Sequence, residues 1–154
     1  MWVFEFFHVI VGILWIGLLY FFNLVQVQSM PKMVEEGAAK QYTQIILPRA
    51  LFLFRHAALW TVITGIAYYM AGRGTVQGIP SGEIMISMLI GIIMAGNVWF
   101  IIWPNQKKII AGELEGDALT KAKRSAFLAS RTNAWLSIPM LIGMIAANHG
   151  GIMF

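Results

Sequence analysis

Few side chains in this 154-residue sequence can do acid–base, redox or metal chemistry, and five of them fall inside or at the ends of long apolar runs: Glu5, His8, Arg55, His56 and His149. Ionisable groups at membrane depth are expensive and normally face a bundle interior or a cavity. A neutral imidazole is a good metal ligand, and facing helices can hold a non-covalent haem between two of them. Arginine's planar fork matches a carboxylate, so Arg55 suits a haem propionate or an anionic substrate. Cysteine is absent, which removes disulfides, thiolate metal sites and covalently attached haem. The 10 methionines are scattered without M-x-x-M clustering and read as packing. No nucleotide loop, nucleophile elbow or paired carboxylate motif is present.

The elements that must position these residues are membrane spans. A span needs about 20 mainly apolar residues, and the sequence offers stretches at about 2–27, 51–71, 84–103 and 134–149. Composition agrees: 58% of residues are hydrophobic and 12% charged, about half the charge of an ordinary soluble domain. That disfavours a soluble enzyme, a nucleic-acid-binding module and a disordered regulator. The first stretch has no preceding Lys or Arg and no small-residue cleavage site after it, so it reads as a retained helix, not a signal peptide. Pro104 marks the exit of the third span and Pro139 predicts a kink in the fourth. The expected fold is all-α, a polytopic four-helix membrane bundle forming one domain over residues 1–154.

Of the 11 basic residues, Lys32, Lys40, Arg49, Arg55, Lys107, Lys108, Lys121, Lys123, Arg124 and Arg131 lie on one side of these spans, and Arg73 on the other. The positive-inside bias then puts segments 28–50 and 104–133 in the cytoplasm and both termini outside. Glu113–Arg124 reads as a solvated helical extension. An internal helix-hairpin repeat is suggested by Gly12–Trp15–Asn23–Gln26 against Gly96–Trp99–Asn105–Gln106, and by Arg55-His-Ala-Ala-Leu-Trp against Arg131-Thr-Asn-Ala-Trp-Leu.

Depth then sorts the histidines. His8 lies about two turns below the outer end of the first span and His149 at the outer end of the fourth, so they are the favoured pair for a b-type haem. His56, beside Arg55 in the inner half, is the third metal candidate. The plainer alternative is that each His hydrogen-bonds to a neighbouring helix. Gly12, Gly17, Gly65, Gly91, Gly96 and Gly143 let helices approach or leave room for a flat macrocycle. Asn23, Gln26, Asn97, Asn105, Gln106 and Asn133 either join helices by hydrogen bonds or form an inner polar vestibule with Arg55 and His56.

The runs HVIVGILWIGLLYFFNLVQ (His8 to Gln26), RHAALWTVITG (Arg55 to Gly65), GNVWFIIWPNQKKI (Gly96 to Ile109) and SRTNAWLSIPML (Ser130 to Leu141) resemble the membrane domain of bacterial cytochrome-linked urate oxidases, also called urate hydroxylases. The matching positions are His8, Trp15, Asn23, Arg55, His56, Asn97, Trp99, Asn105, Arg131 and Asn133. More distantly, the chain is similar to four-helix membrane protoporphyrinogen oxidases. The resemblance implies an inner-membrane redox protein passing electrons toward a c-type cytochrome outside. It adds Trp15, Asn23, Arg55, Asn97 and Arg131 as cofactor-binding candidates beside the metal candidates His8, His56 and His149.

The chain stops at Phe154 without cysteine. The expectation is therefore a haem-binding electron-transfer subunit lacking the cytochrome domain and working in an oligomer or larger membrane complex, with no nucleic-acid partner. The alternative is an accessory or scaffold subunit without chemistry of its own. As an enzyme it would be an oxidoreductase acting with a c-type cytochrome, with Arg55 holding an anionic purine or porphyrin.

Overall fold

Where no solvent can hydrogen-bond the backbone, a segment must satisfy its own peptide groups, and an α-helix does so internally. The computed structural model, which describes residues 2–71, 75–76 and 79–148, follows that rule. Among the described residues it has four long helices: α1 (Trp2–Glu35), α2 (Ala39–Met70), α3 (Gly82–Ala111) and α4 (Gly116–Asn148). The first three are long and apolar enough to cross a membrane. Helix α4 is 33 residues long, but its first half carries Asp117, Lys121, Lys123, Arg124 and Arg131, leaving a shorter apolar stretch after Asn133. It continues through Pro139. A two-residue antiparallel pairing, β1 (Thr75–Val76) with β2 (Ile79–Pro80), lies between α2 and α3.

Segments 28–50 and 104–133 are far more helical than a pair of loops. The connections shrink to 36–38 and 112–115. Gly37 and Gly112 terminate α1 and α3 in the left-handed conformation, at φ 73° and 68°, and the following backbone N–H groups donate back to Met33 and Lys108 carbonyls. At the other end of α3, the Ser81 hydroxyl accepts from the Ile84 N–H.

Three helices contain a π-helical turn: Phe21–Gln26 in α1, Tyr42–Ile46 in α2 and Val98–Ile102 in α3. Two of these immediately precede prolines, Pro48 and Pro104. A helical proline ring clashes with the carbonyl four residues earlier, here Gln44 and Phe100, both inside the wider turn. Pro104 is thus absorbed, and α3 runs on to Ala111 instead of ending there.

Contacts pair the helices antiparallel. Tyr42 donates to the Gln26 side chain, Phe22 packs edge-on to Phe54 at 5.2 Å, and His8 meets Thr61, so α1 and α2 run in opposite directions. Helices α3 and α4 do likewise, through Asn97–Asn133 and Gly91–Met140. The two hairpins join through Tyr20–Ser137 and Asn23–Ser130 on one side and Trp99–Arg55 on the other. Trp15, Leu19, Phe54, Ala58, Met94 and Val98 fill the centre. The outer faces carry exposed Phe4, Phe6, Ile13, Phe100, Ile142 and Ile145, apolar side chains whose natural solvent is lipid.

Within this core, Asn133 is fully buried. Its Oδ1 accepts from Asn97 Nδ2 at 2.8 Å and its Nδ2 donates to the Met94 carbonyl at 2.9 Å. Asn133→Leu would leave the Asn97 Nδ2 without its acceptor and take one of two donors from the Met94 carbonyl, which keeps the Val98 N–H. Intramembrane hydrogen bonds are individually modest, so the expected loss is about 1–2 kcal/mol in reversible detergent unfolding. No measurable loss would show that the Asn97–Asn133 link does not hold the hairpin.

Candidate functional site

A cavity of about 550 Å³ lies where all four helices meet. Helix α1 contributes His8, Gly12, Trp15 and Gly17; α2 contributes Thr61 and Gly65; α3 contributes Met88 and Gly91; α4 contributes Met140 and Met144. The walls are almost wholly apolar and carry no Lys, Arg, Asp or Glu. From His8 to Gly17 the cavity follows α1 for roughly 14 Å, at about 1.5 Å per residue.

His8 is held by α2. Its Nδ1 lies 3.0 Å from the Thr61 carbonyl and 3.2 Å from Thr64 Oγ1. Thr64 Oγ1 commits its proton to the Trp60 carbonyl at 2.6 Å. A carbonyl only accepts, so Nδ1 carries the imidazole proton and donates to Thr61. Nε2 then keeps its lone pair, with no hydrogen-bond partner among the described residues. The ring lies against Gly65: a Cβ there would come within 2.9 Å of His8 Cε1. Glycine is therefore needed at 65 for His8 to sit where it does. Trp15, on the same wall, is fully buried and its indole N–H has no acceptor among the described residues.

Arg55 and His56 form a second cluster outside that cavity, between α2 and α3. The Arg55 guanidinium carbon sits 3.7 Å from the Trp103 ring centre, 5.3 Å from Phe52 and 5.9 Å from Trp99. Trp99 is fixed by its indole N–H donating to the Arg55 carbonyl at 3.1 Å. His56 Nδ1 donates to the Phe52 carbonyl at 2.7 Å, and the ring stacks on Phe52 and meets Trp99 edge-on. Arg55 Nε and Nη1 are buried without partners among the described residues. Among the described residues the ion pair recorded is Lys32–Glu36, far from this cluster in the sequence.

The residues singled out from the sequence therefore separate. His8 and Trp15 share the cavity, and Arg55 and His56 share the aromatic cluster. Asn23 is buried between α1 and α4, donating to Leu19 and Ser130, with its Oδ1 unpartnered. Asn97 is spent on Asn133. Arg131 is exposed and lies over Phe127. His149 falls outside the described residues. No group of three His, Cys, Asp or Glu side chains comes together among the described residues. The sequence did not single out Thr61, Met88 or Met140 for this cavity, or Thr64 beside His8, because their roles depend on which helix lies opposite.

No curated protein and no solved structure matches the chain, and nothing among these comparisons supports the more distant likeness to protoporphyrinogen oxidases. A family model described as urate oxidase N-terminal matches residues 57–154, which takes in α2 from just after Arg55 and His56 together with all of α3 and α4. With well over half of its residues matched, the chain belongs to the urate oxidase N-terminal family.

Proposed function

We propose that this urate-oxidase-related membrane protein is an electron-transfer subunit that holds a b-type haem non-covalently, with His8 as the residue that would ligate it. The observation carrying this reading is the state of His8: Nδ1–H is committed to the Thr61 carbonyl, and Nε2 keeps a lone pair on a residue lining the cavity. Metal-ligating imidazoles are characteristically fixed by such a bond from the other ring nitrogen.

The residues present fit the group. The volume falls within the ~300–1,000 Å³ usual for cofactor sites, and glycines on three walls leave space for a flat ring. The buried Trp15 indole N–H is a donor suited to a propionate carboxylate. A haem held there supplies one-electron transfer. His8 binds and orients it, Gly65 preserves the imidazole's position, and the apolar walls exclude water. His149 is the second ligand on the strength of its place in the sequence. Arg55, His56, Asn23, Asn97 and Arg131 stand apart from this cavity and act elsewhere.

The bacterial inner membrane is the location that the family resemblance implies, and the charge bias favours segments 28–50 and 104–133 in the cytoplasm. The His8 end of the cavity then faces outward, toward a c-type cytochrome that receives the electrons. The test is a reduced-minus-oxidised spectrum of the purified protein with iron analysis. A b-type α band and stoichiometric iron are expected. Absence of both overturns the haem reading and leaves an accessory or scaffold subunit.

A further inference from the structure

The Arg55 cluster is independent of the His8 cavity and needs its own explanation. A guanidinium with two of its three nitrogens buried and unpartnered is costly, since an apolar setting penalises charge strongly unless it is neutralised. Stacking on Trp103 offsets part of this. No carboxylate completes the site: among the described residues, Arg55 is in no ion pair. Only Nη2 remains outside the buried, unpartnered set. The charge is thus desolvated on one side and presented on the other.

What it is presented to follows from the adjoining surface. Phe52, which packs beside Arg55, also lines a shallow outward groove of about 350 Å³ with Pro48, Arg49 and Leu53. Arg49, Phe52 and Leu53 are exposed. They stand at i, i+3 and i+4 on α2, which puts a second cation and an apolar strip on one helix face. A groove that is apolar along Phe52 and Leu53, with Arg49 in its wall and Arg55 packed against Phe52 beside it, complements an amphiphile carrying negative charge. Lysine snorkelling would give similar charge without the stacked, fixed plane that Trp99 and Trp103 impose here.

We propose that Arg55, assisted by Arg49, binds the phosphate of an anionic phospholipid whose acyl chain lies along Phe52 and Leu53. Arg55 Nη2 meets a phosphate oxygen, Trp103 holds the guanidinium plane, and Arg49 supplies the second positive charge. This site requires no haem and stands or falls separately from the proposed redox role.

The test is native mass spectrometry of the whole chain titrated with phosphatidylglycerol or phosphatidylcholine, repeated with excess inorganic phosphate. Phosphatidylglycerol is expected to bind at least about tenfold more tightly, inorganic phosphate to compete poorly, and Arg55→Gln to remove the preference. Arg49→Gln should weaken it by a smaller factor, and circular dichroism checks that each variant remains helical. Equal binding of the two lipids to the unaltered protein overturns the proposal whatever the variants do. So does a preference retained in helical Arg55→Gln, or displacement of the lipid by the excess inorganic phosphate.

Discussion

Replacing His8 with alanine is expected to abolish haem retention, with the reduced-minus-oxidised band and the bound iron both lost on purification. His8 is the one imidazole lining the cavity among the described residues, and its Nε2 is the one imidazole nitrogen there free to bind iron. The substitution would remove the proposed ligand itself, whereas loss of a mere supporting contact to a metal ligand typically costs about 10–100-fold in affinity. Folding should survive, because His8 is only half-buried and its hydrogen bonds reach a carbonyl and hydroxyl already engaged within α2. His56→Ala serves as the control: its ring sits in the Arg55 cluster, so the band should remain. A band that persists without His8 and vanishes without His56 would move the haem to the other site.

The second large effect is structural, at Gly143. A Cβ at this position would overlap Ser87 Oγ and approach the Glu83 carbonyl to 3.0 Å. Helices α3 and α4 therefore touch almost backbone to backbone, the close approach that small residues permit between membrane helices. Gly143→Ala should cost about 1–3 kcal/mol by overpacking, and Gly143→Val more. Ser87→Ala removes the overlapping hydroxyl while leaving its Cβ at an ordinary 3.5 Å. In a double-mutant cycle the pair should consequently show a coupling of at least about 0.5 kcal/mol. Strict additivity would mean that the helices are not in this register.

Much of the architecture was legible in the sequence because apolar length is a direct readout of what a helix must cross. Three of the four expected spans correspond to helices long and apolar enough for the task, and the fourth corresponds to the C-terminal half of α4. The helix ends were less legible. Residues 28–35 and 104–111 look like loops in hydropathy, yet polar residues continue a helix at little cost once it is nucleated. Pro104 misleads for a local reason, since the π-helical turn before it relieves the clash that would otherwise stop the helix.

The site divided along similar lines. Residue type and depth singled out His8, Arg55 and His56, since charge and imidazole stand out against an apolar background. Whether a side chain enters the cavity is a matter of helix rotation and partner. Nothing about Thr61 in isolation announces that its carbonyl will fix a histidine 53 positions away. Asn97 and Asn133 resemble site residues in composition, and only their mutual hydrogen bond assigns them to the hairpin instead. Trp103 has the address of an interfacial belt residue, but spends its face on Arg55.

The π-helical turns also bear on how members of this family should be aligned. Each such turn accommodates about one residue more than the α-helical path, so everything beyond it is rotated by roughly 100° relative to an uninterrupted helix. A relative lacking the turn in α3 would need a one-residue gap near Val98–Ile102 for its side chains to superpose on both Met94 and Trp103. Aligned without that gap, the two chains would agree on one half of the helix and present the wrong faces on the other. Gaps inside membrane helices, usually penalised as errors, are here the arrangement that keeps equivalent side chains together.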